Sequence, residues 1–323
     1  MLMRPGIVAA LACPHDGGQL QLADRVLGCA SGHRFDLAKQ GYATLIRQPL
    51  THQGDPAALI DRRVRVHRAG LLDALHQAVV AAACTAGPAA RPAAGPATGP
   101  AAGPAAGPTA GPPPEGVVCD VGAGPGSYLA AVLDAVPGQV GLAVDASRAA
   151  ARRAARCHER AGAVVADVWQ GLPLRSGSVS LLLDVFAPRD ATEFARVLVP
   201  GGTLLVVTPQ PEHLAELRGA FDLLSVGPAK AEQLRAQLGA AFEETARELV
   251  ATTIDVTPAQ AADLAGMGAS GHHLDVATLD RRARELPART SVRIAVTLSR
   301  FVRTHDPPSA ARAGPKGADD GRR

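Results

Sequence analysis

Residues Val117–Ser127 (VVCDVGAGPGS) place a short β-branched run directly before a glycine-rich turn and a helical stretch. Glycine lets the backbone turn sharply and approach a ligand where a Cβ atom would clash. The dinucleotide fingerprint Gly-x-Gly-x-x-Gly differs, because Gly126 follows Gly124 by two residues and Pro125 has no backbone N–H to offer a phosphate. The segment therefore predicts a strand, a ligand-binding turn and a helix, and it disfavours NAD-dependent redox chemistry.

Apolar runs alternate with helical stretches at 127–135, 147–161 and 191–198. Strands that alternate with helices need crossover connections, so this pattern predicts a parallel sheet with helices on both faces, a doubly wound α/β domain. Further on, β-rich runs at 247–256 and 291–298 flank helical segments. The earlier runs that predict strands are 117–121, 140–144, 163–166, 179–184 and 203–207.

Acidic residues close three successive predicted strands, at Asp120, Asp145 and Asp167. Together with the glycine turn, this spacing resembles the first motif of class I S-adenosylmethionine (AdoMet) methyltransferases. The resemblance implies their α/β fold, which is Rossmann-like with a mostly parallel seven-stranded sheet. It also implies that Asp145 accepts the ribose hydroxyls and that Asp167 faces the adenine amino group. The alternative for both of these residues is an ordinary helix N-cap.

Composition excludes several classes of protein. The net charge is only +3, and aromatic residues make up 3%, which disfavours a single-strand binder built on many stacking rings. No apolar run reaches the length of a spanning helix, so no membrane anchor is expected. Five scattered cysteines are too few for a secreted disulfide framework. These features predict a soluble cytoplasmic protein, and they leave its oligomeric state open, with a homodimer among the alternatives.

Proline, alanine and glycine repeat through residues 85–116 and predict a flexible linker, because they offer neither a helix ladder nor a core. This linker separates a module at 1–50 and a basic connecting helix at 51–84 from a methyltransferase domain at 117–303. Residues 304–323 combine prolines, glycines and mixed charges, and they predict a disordered tail.

The N-terminal module contains a pattern similar to a zinc knuckle. Zinc prefers four nitrogen, sulfur or oxygen ligands in a tetrahedron. The usual Cys-x-x-Cys pair is altered here, because Asp16 stands at the second cysteine position. His15 is an alternative fourth ligand, and a lost metal site is the alternative to zinc binding. The candidate ligands are Cys13, Asp16, Cys29 and His33.

Basic residues cluster in the connecting helix. They form either the solvated face of an amphipathic helix or a surface that binds phosphates, since clustered arginines displace counterions from nucleic acid. The candidate RNA contacts are Arg34, Lys39, Arg62, Arg63, Arg65 and Arg68.

Longer matching stretches make the similarity specific. The chain resembles the RlmA family of 23S rRNA (guanine-N1)-methyltransferases over about residues 10–84 and 117–303. Residues 267–273 are similar to the actinobacterial branch that contains the tylosin-resistance enzyme. The matching segments are 29–45 (CASGHRFDLAKQGYATL), 54–55 (GD), 62–63 (RR), 120–126 (DVGAGPG), 186–188 (FAP) and 208–219 (TPQPEHLAELRG).

This resemblance implies a zinc-binding module that recognises rRNA, joined to an AdoMet-dependent methyltransferase domain. The implied substrate is a guanine in the hairpin 35 loop of 23S rRNA, where methylation in the tylosin-resistance branch lowers susceptibility to macrolides. Leu72 stands where some relatives use a tyrosine, so its contact with the cofactor can only be apolar. The other expected cofactor contacts are Asp120, Gly122, Gly124, Pro125, Gly126, Asp145, Asp167 and His213.

Guanine N1 carries a proton that must leave before it can attack a methyl group. Asp184 ends the fourth predicted strand, where the acceptor would lie, and we expect it to accept or polarise this proton. Phe186 is expected either to flank a base turned out of its loop or to belong to the core. Two other functions remain open: methylation of another RNA or a small molecule, and non-catalytic binding.

Overall fold

A computed structural model of the protein describes residues 3–50, 54–85, 117–225, 227, 230–268 and 274–304. Most of the predicted linker (86–116), nearly all of the predicted tail (305–323) and most of the 267–273 stretch lie outside the described residues.

Eleven strands are present in the described part of the chain. They are β1 (Gln21–Ala23), β2 (Val26–Gly28), β3 (Arg34–Asp36), β4 (Tyr42–Thr44), β5 (Val117–Val121), β6 (Val140–Asp145), β7 (Ala161–Val165), β8 (Val179–Val185), β9 (Leu198–Pro209), β10 (Phe242–Val256) and β11 (Thr290–Arg303).

The helices cover both faces of the main sheet. Along the described residues, none combines the length and apolarity that crossing a membrane requires. The helices of the described residues are α1 (Pro5–Ala10), α2 (Ala57–Arg68), α3 (Asp73–Cys84), α4 (Ser127–Ala135), α5 (Arg148–Ala154), α6 (Ala191–Val197), α7 (Ala215–Phe221), α8 (Lys230–Leu238), α9 (Pro258–Gly266) and α10 (Val276–Ala283), with 3-10 turns at Val168–Gln170 and Gly239–Ala241.

The main sheet has eight strands in the order β10-β11-β9-β8-β5-β6-β7-β4. The six strands from β9 to β4 in this order are parallel to one another, and β11 is antiparallel to both of its neighbours, β10 and β9. Every residue of β5 and β7 is buried, as expected for parallel strands covered on both faces. The predicted class I AdoMet methyltransferase fold is confirmed.

The eighth strand is an addition to the seven that the resemblance implies. It is β4, which pairs with the edge strand β7 so that Tyr42 lies opposite Ala163 and Thr44 opposite Val165. An unpaired edge leaves backbone N–H and C=O groups without partners, and β4 satisfies those of β7. The N-terminal lobe is thereby hydrogen-bonded directly to the catalytic sheet.

The N-terminal lobe also shares its core with the sheet. Strands β1, β2 and β3 form a small antiparallel sheet. Leu20, directly before β1, and Leu27 of β2 are buried in one apolar cluster with Val144 and Leu174 of the main domain. Leu11 and Leu174 also form a backbone bridge. Burial of this shared surface gives the lobe a fixed position on the domain.

Helix α2 is anchored to α9 by a buried ion cluster. Arg62 donates to Asp263 Oδ1 at 2.8 Å, and Arg65 donates to both oxygens of Asp263 at 2.6 and 2.7 Å. Arg62 and Asp263 are buried, whereas the Arg65 side chain is 54% exposed. The expected RNA contact of Arg62 is therefore corrected, because its charge is buried and already paired. Arg65 is also committed to Asp263.

We predict that Asp263→Asn destabilises the protein, because a buried guanidinium would lose its anion. Removing one partner of a buried pair costs about 3 kcal/mol or more. Urea unfolding measures this loss, and Asp255→Asn on the exposed surface of β10 is the matched control. Equal stabilities of the two variants would show that the cluster does not hold α2 in place.

Candidate active site and metal centre

The turn after β5 adopts a backbone conformation that only glycine takes readily. Gly122 and Gly126 have φ angles of +67° and +82°. A Cβ atom on Gly122 would lie 2.5 Å from Cβ of Ala187, and one on Gly126 would lie 2.8 Å from Sγ of Cys157. The turn is therefore packed tightly against its neighbours, and its shape is a property of the glycines.

Asp145 holds this turn in place. Its carboxylate accepts hydrogen bonds from the backbone N–H groups of Gly124 at 2.8 Å and Ser147 at 2.7 Å. Burial raises the pKa of Asp145 to about 6, even though these two N–H groups favour the ionised form. The helix N-cap of α5 is Ser147, not Asp145.

Asp120 lies at the end of β5 and is buried. One of its carboxylate oxygens, Oδ2, has no hydrogen-bond partner among the described residues. Burial and the nearby Asp145 and Asp184 raise its pKa well above the usual value. Because a buried polar atom without a partner is costly, the Asp120 carboxyl group is suited to a ligand that brings a donor.

A cavity of about 670 Å³ opens above the turn. Its wall combines the ends of the sheet strands with α2 of the N-terminal lobe and with the segments around α7 and α9. Of the expected cofactor residues, it brings together Asp120, Gly122, Gly124, Pro125 and His213. Its other polar and aromatic side chains include Arg63, His67, Tyr128, Phe186, Thr208, Arg189, Arg218 and Gln233.

Four expected cofactor residues are not on the wall of this cavity: Gly126, Asp145, Asp167 and Leu72. Gly126 belongs to the turn that forms the wall, and Asp145 accepts a hydrogen bond from the Gly124 N–H of the same turn. Asp167 caps the 3-10 turn Val168–Gln170 by accepting from the Trp169 N–H at 3.0 Å, which is the capping alternative. Leu72 is buried in an apolar cluster with Val66 and Phe221.

Asp184, the expected base, lies outside the wall of this cavity. It is fully buried, and its Oδ2 accepts from Nε of Arg189 at 2.6 Å while Oδ1 accepts from the Ala187 N–H at 3.2 Å. Burial raises its pKa to about 6, and the Arg189 cation acts in the opposite direction. Both oxygens are engaged, and the group that reaches the cavity wall is Arg189.

Two further wall residues escaped the sequence analysis, His67 and Tyr128. Nε2 of His76 lies 2.9 Å from Nδ1 of His67, and the Tyr128 ring contacts both imidazoles. Burial lowers the pKa of His67 to about 3, so the imidazole is neutral at physiological pH. No sequence signal marks them, because α3 and the whole predicted linker lie between α2 and α4.

Phe186 and His213 form an aromatic corner of the cavity. Their ring centroids are 5.8 Å apart with an interplanar angle of 30°. Phe186 has a φ angle of +55°, which is strained for a residue with a side chain, and the ring is partly exposed. Burial lowers the pKa of His213 to about 4, so this ring is also neutral. An aromatic, uncharged corner of this kind suits a planar base.

The metal-ligand candidates converge in the N-terminal lobe. The ligand atoms of Cys13, Asp16, Cys29 and His33 all lie within 4.8 Å of one another. Sγ of Cys29 is 3.3 Å from both Asp16 Oδ2 and His33 Nδ1, and Sγ of Cys13 is 3.5 Å from His33 Nδ1. Tetrahedral zinc ligands stand roughly 3.3–3.8 Å apart, so this donor set fits zinc.

Asp16 is the unusual member of this set. A hydrogen bond from the Ser31 side chain and another from the Gly18 N–H lower its pKa, so it is an anion at neutral pH. His15 instead stacks on Phe35, with ring centroids 5.8 Å apart. The geometry thus favours Asp16 over His15 as the fourth ligand.

The remaining RNA-contact candidates differ in position. Arg34, Lys39 and Arg68 are exposed. Arg63 instead turns into the cavity, where it pairs with Asp55 at 2.5 Å and donates to the Met267 carbonyl at 3.0 Å. A Cβ atom on Gly124 would lie 3.4 Å from Nη1 of Arg63. Arg63, expected to contact a phosphate, thus lies at the wall of the cavity.

The fold and the cavity together define a class I AdoMet-dependent methyltransferase. The N-terminal zinc-ribbon profile of the RlmA family matches residues 11–53. The 23S rRNA (guanine(748)-N(1))-methyltransferase of Streptomyces fradiae is 41% identical over 92% of this chain and 98% of its own length. A Micromonospora griseorubida protein named for 23S rRNA (guanine-N1) methylation is 43% identical over 93% and 99%. The chain belongs to the RlmA family of 23S rRNA (guanine-N1)-methyltransferases.

Solved structures are similar to part of this chain at lower identity. The YcgJ protein of Bacillus subtilis is 16% identical, with 59% of this chain and 93% of that chain covered and a TM-score of 0.40. The geranyl diphosphate C-methyltransferase of Streptomyces coelicolor A3(2), in complex with S-adenosyl-L-homocysteine, is 16% identical over 59% and 70%, with a TM-score of 0.36.

We predict that the purified protein contains one zinc ion per chain. Cys29→Ser should remove the metal and lower the melting temperature, because metal binding and folding of a small lobe are coupled. Elemental analysis and thermal unfolding measure both effects, with Cys84→Ser as the control at an exposed cysteine outside the cluster. Asp16→Cys should bind zinc more tightly. A wild-type protein without metal contradicts this prediction.

We predict that Gly122→Ala weakens AdoMet binding by roughly tenfold or more, because the added methyl group collides with Ala187 and displaces the turn. Isothermal titration measures the affinity. Gly138→Ala is the matched control, since Gly138 also has a positive φ of +83° but nothing lies within 4 Å of its added Cβ. Unchanged affinity in Gly122→Ala would place the cofactor elsewhere.

Proposed function

We propose that this protein transfers a methyl group from AdoMet to N1 of a guanine in the hairpin 35 loop of 23S rRNA. The observation that carries the proposal is its 41% identity over 98% of the Streptomyces fradiae guanine-748 enzyme. The site has the parts such a reaction needs: a glycine turn, a buried carboxyl group with a free oxygen, and an aromatic corner beside a cation.

Bound AdoMet would supply a methyl group on a sulfonium, an electrophile ready for in-line displacement. Asp120 would accept from the amino group of the cofactor, because its Oδ2 is buried and has no partner in the described residues. Asp145 would accept from the ribose hydroxyls with lone pairs that Gly124 and Ser147 leave free. We keep Asp167 as a candidate for the adenine end.

His213 and Leu72 are further cofactor candidates that differ in support. His213 lies on the cavity wall and is neutral. Its Nδ1 accepts from the Ala295 N–H at 3.3 Å, so Nε2 carries the proton and can donate one hydrogen bond. Leu72 would act only through packing, since it lies in the apolar cluster behind α2 and α7.

The acceptor must lose its N1 proton, and the negative charge that develops spreads to O6 of the guanine. Arg189 is the group best placed to stabilise this charge. Asp184 holds the guanidinium through Nε at 2.6 Å, one Nη group donates to the Ala187 carbonyl at 3.4 Å, and Arg189 lines the cavity wall together with Phe186. A guanidinium fork also matches the acceptor edge of guanine, so Arg189 would both select the base and assist its deprotonation. Asp184 is then a positioning residue.

Phe186 and His213 would flank the target base. Loop nucleotides can be turned out of their stack at modest cost, and an aromatic corner replaces the lost stacking. The positive φ of Phe186 is consistent with a ring held in place for this purpose.

The N-terminal lobe would contribute the RNA contacts. Its zinc cluster rigidifies a small module, and Arg34, Lys39 and Arg68 are exposed cations that could approach phosphates. We propose that residues 1–50 recognise RNA, that 51–84 connect the lobes and that 117–303 carry out catalysis. Action on rRNA in the cytoplasm and resistance to tylosin-type macrolides are part of the proposal, and a homodimer remains to be tested.

Mass spectrometry of 23S rRNA from cells with and without the gene tests the proposal. We expect one methylated guanine in hairpin 35 that depends on the gene, together with a higher inhibitory concentration of tylosin. In vitro, tritium from AdoMet should appear in 23S rRNA and not in tRNA or free nucleosides. Methylation of tRNA alone would assign the enzyme to another RNA, and no transfer to any RNA would indicate a binding protein.

We predict that Arg189→Ala lowers kcat by about a hundredfold, because one preorganised donor to a developing anion is lost. AdoMet affinity should be unchanged. The pH optimum should shift upward, because without the nearby cation the N1 proton is lost to water only at higher pH. Asp184→Asn should change kcat in the same direction through misplacement of Arg189. The control is Arg152→Ala, at an exposed arginine of α5. A normal kcat in Arg189→Ala with a lost kcat in Asp184→Asn would return the role of base to Asp184.

A further inference from the structure

A second cavity, of about 600 Å³, lies between the zinc-binding loop and the main domain. We call it the inter-lobe groove. One side is the loop from Ala12 to Gly17, and the other is the segment from Gln170 to Ser176 that follows β7. The groove is separate from the active-site cavity, and none of the proposed catalytic groups lines it.

The groove is held open by backbone contacts between the lobes. The Ala12 N–H donates to the Pro173 carbonyl at 3.0 Å, and the Arg175 N–H donates to the Ala10 carbonyl at 2.8 Å. The Gln48 N–H donates to the Gln170 side chain at 2.9 Å. Because both walls are fixed in this way, the groove is a permanent feature of the docked lobes.

The groove carries unneutralised positive charge. Arg47 and Arg175 line it, and both are exposed. Neither makes a salt bridge within the described residues, and the side chain of Arg175 donates only to the Ala9 carbonyl, at 3.3 Å. The acid in the groove outside the metal cluster, Glu193, is already paired with Arg196 at 2.7 Å. An anionic ligand is therefore favoured.

An exposed aromatic residue directly precedes the segment that lines the groove. Trp169 is 64% exposed and is the only tryptophan in the sequence. The backbone N–H of Trp169 donates a hydrogen bond to the Asp167 side chain, which fixes the backbone there. The next residue, Gln170, lines the groove. An exposed indole that leads into a segment carrying Arg175 combines a stacking platform with a phosphate contact, the combination that single-stranded nucleic acid needs.

Trp169 and the active site lie at the same edge of the sheet. Trp169 follows β7 and Phe186 follows β8, and these strands run in the same direction with β5 and β6 between them. At the usual spacing of neighbouring strands, the two strand ends are about 14 Å apart. A few nucleotides bridge such a distance, so one RNA strand can contact both Trp169 and the active site.

We propose that the inter-lobe groove, with Trp169 at its rim, binds the single-stranded RNA that adjoins the target nucleotide. This inference rests on the proposed function and extends it. Arg47 and Arg175 contact phosphates, and a base next to the target guanine stacks on Trp169. The groove would set the distance between the recognised strand and the methylated base.

The single tryptophan allows a direct binding test. Tryptophan fluorescence of the zinc-loaded protein is measured while a synthetic RNA with the sequence of hairpin 35 is added. We expect quenching that saturates. In Arg47→Gln/Arg175→Gln the slope of log affinity against log salt should fall by about two, one for each lost phosphate contact. No quenching by the RNA, or quenching by polyglutamate alone, overturns the proposal.

Kinetics with matched controls give a second test. Trp169→Ala should raise KM for the RNA roughly tenfold or more, whereas Trp169→Phe should retain most of the affinity because a phenyl ring also stacks. The controls are Leu249→Ala, which removes an equally exposed apolar side chain (63%), and Arg284→Gln, an exposed arginine outside the groove. An unchanged KM in Trp169→Ala overturns the inference.

The two proposals fail in different ways. If the wild-type protein methylates 23S rRNA and the groove variants keep its KM, the inference fails and the proposed function stands. If the wild type transfers no methyl group to 23S rRNA, the proposed function fails, and the fluorescence titration still decides whether RNA enters the groove.

Discussion

The arrangement of the active site depends on the buried carboxylate of Asp263. It binds two arginines of α2 and so fixes a helix of the N-terminal part against α9 of the catalytic domain. The same helix carries Arg63 and His67 into the active-site cavity. A charge cluster with low exposure tolerates little displacement, because separation leaves an uncompensated charge in a poorly solvated place. The wall of the cavity is therefore formed by residues of both the N-terminal part and the catalytic domain.

The carboxyl groups at the strand ends illustrate how burial divides similar residues among different tasks. Asp145 is occupied by two backbone N–H groups, Asp184 by an arginine and a backbone N–H, and Asp120 retains an oxygen without a partner in the described chain. All three have raised pKa values, and burial is the first cause in each case. The three carboxyl groups differ in their hydrogen-bond partners, and these partners decide which carboxyl group can accept a hydrogen bond from a ligand.

Much of the fold was readable from local patterns. The five apolar runs, the glycine turn and the acids at the strand ends predicted a doubly wound sheet, and the structure confirms it, because buried parallel strands need continuous apolar runs. The convergence of Cys13, Asp16, Cys29 and His33 also follows from their spacing. The basic run in α2 was ambiguous. A sequence displays charges but not their partners, so Arg62 could not be distinguished from an exposed arginine such as Arg68.

The sequence by itself determined the class of the enzyme, its ligand-binding turn and its set of metal donors, since these depend on residues near one another in the chain. Tertiary structure decided the rest. The addition of β4 to the sheet edge, the entry of Arg63 and His67 into the cavity and the capture of Asp184 by Arg189 depend on side-chain positions. The β4 addition and the entry of α2 residues into the cavity join segments that are far apart in sequence. The pairing of Asp184 with Arg189 depends on which of several nearby cations lies within hydrogen-bonding distance of the buried carboxylate. Such pairings are set by packing and desolvation, which no local pattern records.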